Sequence, residues 1–288
     1  MTVSVTSSSI RCALGEGPLW HPRLQQLYVT DVFARKIHVF DSDLTCIRTI
    51  SCERITTAMT WEEDGSILLF HDRGAISRLR SDDSIRLVFN GLSDEKNGTF
   101  NDVIADPAGR ILAGTQPVGN RLGRLYAIDR NFQSKILLND VQEPNGLGFS
   151  IDHKQLFFSD SGRRSVSAFD FDVADCSISN RRCLYQGNDN LVPDGLTVDQ
   201  QDNVWIALWD GAQIICLTPD GDILQSIPLP AQRTSSLTFG GSNFRSIFVT
   251  SASDGVPINK CSELEGAVFR LDESGAGLAE FPTRTNRF

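Results

Sequence analysis

Pro193-Asp194-Gly195-Leu196-Thr197-Val198-Asp199 is the stretch whose reading decides the fold. A turn leads into a short apolar strand, which ends in a second turn. An acidic residue stands at the head of the strand with a glycine behind it. The stretch has counterparts elsewhere in the chain. Pro144-Asn145-Gly146-Leu147-Gly148-Phe149 and Phe100-Asn101-Asp102-Val103-Ile104-Ala105-Asp106 are built alike, and Glu16-Gly17-Pro18-Leu19-Trp20 is a fourth version. Each sets an oxygen-bearing side chain at the same point of a repeated unit.

Working outward, each unit continues with two more apolar strands. Gly17–Trp20 is followed by Gln26–Asp31 and Lys36–Asp41, and Gly195–Val198 by Asn203–Ala207 and Gln213–Leu217. Units begin near Gly17, Ala58, Asp102, Gly146, Gly195 and Ser236, a period of about 40–50 residues that matches propeller blades of about four strands. Asp-x-x-Gly turns such as Asp106-Pro107-Ala108-Gly109 join strands within units. No window shows helical periodicity, so the chain reads as all-β, a six-bladed β-propeller formed as one domain over residues 1–288. Blades bury their faces only against neighbours and so close into a ring. Val3-Ser4-Val5-Thr6 is expected to supply the outermost strand of the last blade. Thr283-Arg284-Thr285-Asn286-Arg287-Phe288 is expected to be a loosely ordered tail.

Composition narrows the function. The chain has 288 residues, is 40% hydrophobic and carries a net charge of −9. It is long enough for a large core, and its acidity argues against nucleic acid and anionic membranes as partners. No apolar run approaches the roughly 20 residues of a membrane span. Met1-Thr2-Val3-Ser4-Val5-Thr6 does not read as a secretory signal. The seven cysteines, Cys12, Cys46, Cys52, Cys176, Cys183, Cys216 and Cys261, include no Cys-x-x-Cys pair. Reduced thiols in a cytoplasmic protein are expected, with neither a Cys176–Cys183 disulfide nor a cysteine-built zinc site. What Cys12 does, four residues before Glu16, is left open.

The first strand of a blade lines the central channel, so the residues leading into it share one mouth. Glu16, Asn101, Asn145 and Asp194 hold that register in units one, three, four and five. Taken singly, Asn-Gly and Asp-Gly are ordinary turn dipeptides. Four polar residues in register point instead to a common centre. Two carboxylates with amide oxygens make a hard donor set for one divalent cation, Ca2+ or oxygen-ligated Zn2+, with Mg2+ or Mn2+ also compatible. His21, His38, His71 and His153 fall outside this register and read as surface or packing residues. A Ser-His-Asp hydrolase is not supported, and Gly-x-Ser-x-Gly is missing.

The sequence resembles the senescence marker protein (regucalcin), gluconolactonase and luciferin-regenerating-enzyme family. The resemblance is carried by Gly15-Glu16-Gly17-Pro18-Leu19-Trp20, Phe100-Asn101-Asp102, Asp106-Pro107-Ala108-Gly109-Arg110, Ala113-Gly114-Thr115, Asn145-Gly146-Leu147, Pro193-Asp194-Gly195 and Thr234–Gly241. It implies a metal in the channel on Glu16, Asn145 and Asp194. It places a substrate-contacting asparagine at Asn101, with Asp102 beside it. The activity implied is hydrolysis of a sugar lactone to the aldonic acid, with the cation polarising the carbonyl and Asp194 as general base. A carboxylate on a cation is weakly basic, which leaves the attacking oxygen open between free and cation-activated water. The family often has an arginine where Thr99 stands, and acidic residues where Gln116-Pro117-Val118-Gly119 stand. Both departures concern substrate contacts. Arg73, Arg121, Arg163 and Arg164 are read as solvated loop residues, with a compensating substrate contact as the alternative. The competing functions are hydrolysis of other esters or phosphotriesters, and calcium-dependent regulation without turnover.

Overall fold

The computed structural model describes residues 4–256, 262–272 and 275–286. Val3, Cys261, Arg287 and Phe288, named above, lie outside the described residues. The strands run in chain order as β1 (Ser4–Ser7), β2 (Gly15–His21), β3 (Gln26–Asp31), β4 (Lys36–Phe40) and β5 (Cys46–Ser51). They continue with β6 (Thr56–Trp61), β7 (Ile67–His71), β8 (Ile76–Leu79), β9 (Ile85–Phe89), β10 (Phe100–Ala105), β11 (Ile111–Thr115), β12 (Gly123–Ile128) and β13 (Ser134–Val141). The remainder are β14 (Pro144–Phe149), β15 (Gln155–Asp160), β16 (Ser165–Asp172), β17 (Ser177–Gln186), β18 (Val192–Val198), β19 (Val204–Trp209), β20 (Gln213–Leu217), β21 (Ile223–Pro228), β22 (Arg233–Gly240), β23 (Ser246–Ala252) and β24 (Phe269–Asp272).

They form six four-stranded antiparallel sheets, and these are the blades of a propeller. Blades one to five each use four consecutive strands, starting from β2, β6, β10, β14 and β18. Blade six has the order β1-β24-β23-β22, so the N-terminal strand completes it. The pairing runs from Ser4 opposite Asp272 to Ser7 opposite Phe269. One short 3-10 turn, Ser93–Glu95, interrupts the β pattern.

The inner strands of a blade are covered on both faces, which explains their unbroken apolar runs: β7 (ILLFH) and β15 (QLFFSD) are almost wholly buried. The outer strands are largely exposed, as in Ile85–Phe89 and Ile223–Pro228. The buried side chains fall into six clusters, one at each blade junction. Leu19 and Tyr28 of blade one meet Met59 and Leu69 of blade two, and Trp20 and Phe40 meet Phe248 of blade six. Each such fully buried side chain contributes about 1.5–3 kcal/mol, so blade-to-blade packing is the main cohesive term.

The C-terminal tail is not loose. Thr283 is fully buried, and its N–H donates to Trp61 O at 2.8 Å. Gly277 N–H donates to Phe244 O, Arg284 N–H to Gly109 O and Asn286 N–H to Arg130 O. Residues 275–286 therefore cross the channel end opposite Glu16 and Asp194. The unpaired backbone of a chain terminus is here satisfied by three different blades, two, three and six, which fixes it.

Candidate active site

Every innermost strand carries a register shift at the same place. The shifts fall between Glu16 and Leu19, Thr56 and Ala58, Phe100 and Val103, Pro144 and Leu147, Pro193 and Leu196, and Thr234 and Leu237. A bulge inserts unpaired residues and re-aims their side chains. Asn145-Gly146 and Asp194-Gly195 are thus bulges inside strands, not turns. Their glycines are required by close approach. A Cβ on Gly146 would lie 2.3 Å from Leu196 N, and one on Gly195 would lie 2.1 Å from Ser236 Oγ.

The bulges bring Glu16, Asn101, Asn145 and Asp194 into the wall of one cavity of about 300 Å³ at the channel mouth. Glu143, Ser161, Gln116, Trp209 and Arg233 share that wall. Thr99 is not part of it, although its carbonyl accepts the N–H of the lining residue Gln116 at 2.9 Å. Asp102 does not line it either. Its carboxyl sits deeper on the channel, where its charge pushes up both Glu16 and Glu280.

A line of hydrogen bonds fixes the amides. Asn101 Nδ2 donates to Pro144 O at 2.8 Å and to Asn145 Oδ1 at 3.0 Å. Asn145 Nδ2 donates to Ser161 Oγ at 2.8 Å, and Ser161 Oγ donates to Pro193 O at 2.7 Å. With its Nδ2 turned to Ser161, Asn145 keeps its oxygen on the Asn101 side.

The electrostatics are one-sided. Burial raises the Glu16 carboxyl to about 8, helped by the charge of Asp102. Burial pushes Asp194 well above the usual carboxylate range, and the charge of Glu16 adds to it. Glu143 is raised by burial and then by Asp160. Asp194 Oδ1 is buried and has no hydrogen-bond partner among the described residues. Buried polar atoms rarely stay unpaired, and clustered carboxylates repel. A divalent cation on Glu16, Asn145 and Asp194 relieves both conditions, so the residues fit such a group.

The arginines named from sequence do not reach the cavity. Arg121 is held by Glu95 at 2.5 Å, Arg163 by Asp160 at 3.2 Å, Arg164 by Asp189 at 2.8 Å and Arg73 by Asp72 at 3.7 Å. The cavity's arginine is Arg233, which lies 4.9 Å from the Trp209 ring centroid and 3.0 Å from Asp210. Sequence reasoning missed it, with Glu143 and Ser161, because none of them holds the strand-leading register. The histidines do pack: His21, His38 and His71 are buried, and His153 lies edge-on to Phe281. The described cysteines are free thiols, Cys176 and Cys183 among them. Cys12, Asp31 and His38 each place one ligand atom within 4.8 Å of the other two.

Comparison with known proteins places the chain in a family and a shared fold. The chain is 33% identical over 280 residues to pentonolactonase XacC of Haloferax volcanii, covering 94% of each. It is 30% identical to the regucalcin of Gallus gallus, covering 95% of this chain and 96% of that protein. Among solved structures, a luciferin-regenerating enzyme superposes with a TM-score of 0.89 at 26% identity, over 98% of this chain and all of that one. A gluconolactonase from Xanthomonas campestris, at 20% identity and a TM-score of 0.79 over 94% of this chain and 89% of that one, shares the fold. Residues 14–253 match the SMP-30/Gluconolactonase/LRE-like profile, and the chain belongs to that family.

Proposed function

We propose that the protein is a cytoplasmic lactonase that opens a sugar lactone to the aldonic acid, with one divalent cation held by Glu16, Asn145 and Asp194. The observation that carries this reading is the unpartnered Asp194 Oδ1 in a cavity walled by Glu16, Asn145 and Asn101. The pentonolactonase and gluconolactonase among the relatives support the reaction class. Six described thiols left free support a reducing compartment.

When bound, the cation supplies a Lewis acid that polarises the lactone carbonyl. The chain's own residues do the rest. The Asp194 carboxylate accepts the proton of the attacking water as its oxygen bonds to the carbonyl carbon. The carbon-to-ring-oxygen bond then breaks, and the proton passes to the released alkoxide. Asn101 and Gln116 orient the ring substituents from one wall, and Arg233 bounds the other. Asp102 acts from below by setting the potential at Glu16.

The test is a pH-stat assay of a lactone panel with chelated protein, before and after addition of Ca2+, Mn2+, Mg2+ or Zn2+. The expected result is turnover that returns with one of these cations. Tight cation binding with no turnover on any lactone would overturn the lactonase assignment.

A further inference from the structure

We propose that Cys12, Asp31 and His38 form a second metal site, for a borderline-soft divalent cation of the Zn2+ type, at the seam between blades six and one. All three side chains are buried, and one ligand atom from each lies within 4.8 Å of the other two. Thiolate, imidazole and carboxylate are the donors Zn2+ takes, at bond lengths of about 2.0–2.3 Å. Donors of a tetrahedral site then stand about 3.5 Å apart, so closure on the ion asks for shifts of about 1 Å.

The fold contains its own control. Asp31 accepts the N–H groups of Ala13, Leu14 and Ala34 at 3.1, 3.3 and 3.2 Å. Asp160 of blade four accepts those of Gln142, Glu143 and Arg163, at the same sequence offsets, at 3.1, 3.0 and 3.2 Å. The strand registers make Val141 the counterpart of Cys12 and Ser167 the counterpart of His38. Blade four therefore completes the aspartate-centred turn with no thiol and no imidazole. The turn explains Asp31 and leaves Cys12 and His38 unexplained. Burying an imidazole and a thiol against a carboxylate costs free energy that valine and serine avoid.

A second thiol packs on the same cluster. Half-buried Cys46 packs against the Cys12 cluster. Its Sγ lies 3.8 Å from Thr49 Oγ1, the same hydroxyl that contacts His38 Nδ1 at 3.0 Å. Thr49 thereby fixes the imidazole, as outer partners of metal-bound histidines do. The donors come from the segment joining β1 to β2, the end of β3 and the middle of β4. Cys12 N–H donates to Gly266 O at 2.7 Å, and Cys12 O accepts the Ser253 N–H. An ion held here ties the chain that crosses from blade six to blade one, where the ring closes. The donors include sulfur and nitrogen, unlike the oxygen set of the channel, so the proposal stands independently of the lactonase reading.

The experiment is a Co2+ titration of the full chain, in wild type and in Asp194→Asn, which weakens the channel set. The expected result is a sulfur-to-cobalt charge-transfer band in the near ultraviolet that saturates at one equivalent in both proteins. An oxygen-only site produces no such band. The band is lost in Cys12→Ser, kept in the exposed-thiol control Cys183→Ser, and displaced by Zn2+. His38→Gln, checked for folding by circular dichroism, weakens cobalt binding at least about tenfold and covers the case in which Cys12→Ser does not fold. A saturated wild type without the band, a band kept in folded Cys12→Ser, or, where Cys12→Ser does not fold, cobalt binding undiminished in His38→Gln, overturns the site.

Discussion

Asn101 Nδ2 donates to Asn145 Oδ1 across 3.0 Å, which couples the mouth positions of blades three and four. The line continues through Ser161 Oγ to the carbonyl of Pro193, directly before Asp194. Three blades are thereby held in one arrangement before any ligand arrives. Ser161 touches neither carboxylate in this line, yet it sets the orientation of the Asn145 amide. Ser161→Ala is expected to weaken cation binding about 10–100-fold, as loss of an outer partner does, with little change in melting temperature. Isothermal titration with the activating cation checks it, and unaltered affinity would show that Asn145 needs no such support.

Asp194 is a stability liability in the absence of a cation, because burial and the Glu16 charge both oppose its ionised form. Asp194→Asn removes that charge and keeps the shape. Turnover is expected to fall about a thousandfold or more. The melting temperature in chelator is expected to rise, by a gain of at least about 1 kcal/mol. Parallel thermal melts and pH-stat assays test the pairing of these effects. Full activity in the variant would remove Asp194 from the mechanism.

The blade count, the inner strands and the closing role of Ser4–Thr6 were legible because inner strands are apolar on both faces and punctuated by Asp/Gly turns. The outer strands, such as β5 (Cys46–Ser51) and β13 (Ser134–Val141), were not. They expose one face and carry mixed residues that look like loops. Glu16, Asn101, Asn145 and Asp194 were legible as a set through register alone. The bulges that aim them were hidden, since a bulge is a pairing defect defined by the neighbouring strand. Arg233 and Glu143 share one position, four residues before the inner-strand leucines Leu237 and Leu147, but Val192 holds it in blade five, so no common chemistry marked it; Ser161 reaches the cavity from just beyond the neighbouring strand β15. The tail gave no signal because its order comes from blade backbones far away in sequence, such as Trp61 and Gly109.

Arg233 and Thr99 separate two accounts of substrate selection. Thr99 is not a lining residue, whereas Arg233 stands in the wall, braced on Trp209 and Asp210. Arg233→Met keeps the stem and removes the donors. KM for the preferred lactone is expected to rise about tenfold with kcat unchanged, the signature of binding shared by ground and transition states. Thr99→Arg is expected to shift the profile toward common aldonolactones, since Thr99 borders the lining through Gln116. Steady-state kinetics of both variants on one lactone panel decide between them, and an unchanged KM in Arg233→Met would exclude that wall from recognition.

Glu280 connects the tail to pH. Its carboxyl accepts a hydrogen bond from Thr238 Oγ1 at 3.3 Å, and burial with the charge of Asp102 raises it from 4.5 to about 7. A carboxyl raised on folding opposes the folded state once it must ionise. Its cost is absent below about pH 4.5, grows from there to about 7, and is complete above. Glu280→Gln keeps an acceptor for Thr238 and removes the charge. It should leave stability unchanged at pH 4 and raise it by about 1–2 kcal/mol at pH 8, after allowance for partial exposure. Urea midpoints at the two pH values test this, and a gain of equal size at both would mean that ionisation is not the cause.

Another anchor of the tail is an ion pair in blade two. Arg78 Nε lies 2.5 Å from Glu62 Oε2, and the two side chains are 8% and 5% exposed. Thr285 Oγ1 bonds to both partners. Two opposed charges out of water are tolerable together and costly apart. Arg78→Met strands the Glu62 carboxylate and should destabilise the protein by about 3–5 kcal/mol. Arg78→Met combined with Glu62→Leu strands neither charge, so most of that loss should be recovered, although Thr285 still loses its partners. Urea denaturation of the two single variants and the double variant gives the coupling directly. A double variant as unstable as the sum of the singles would mean zero coupling, so that the two side chains act independently and a stranded charge is not the cause of the loss.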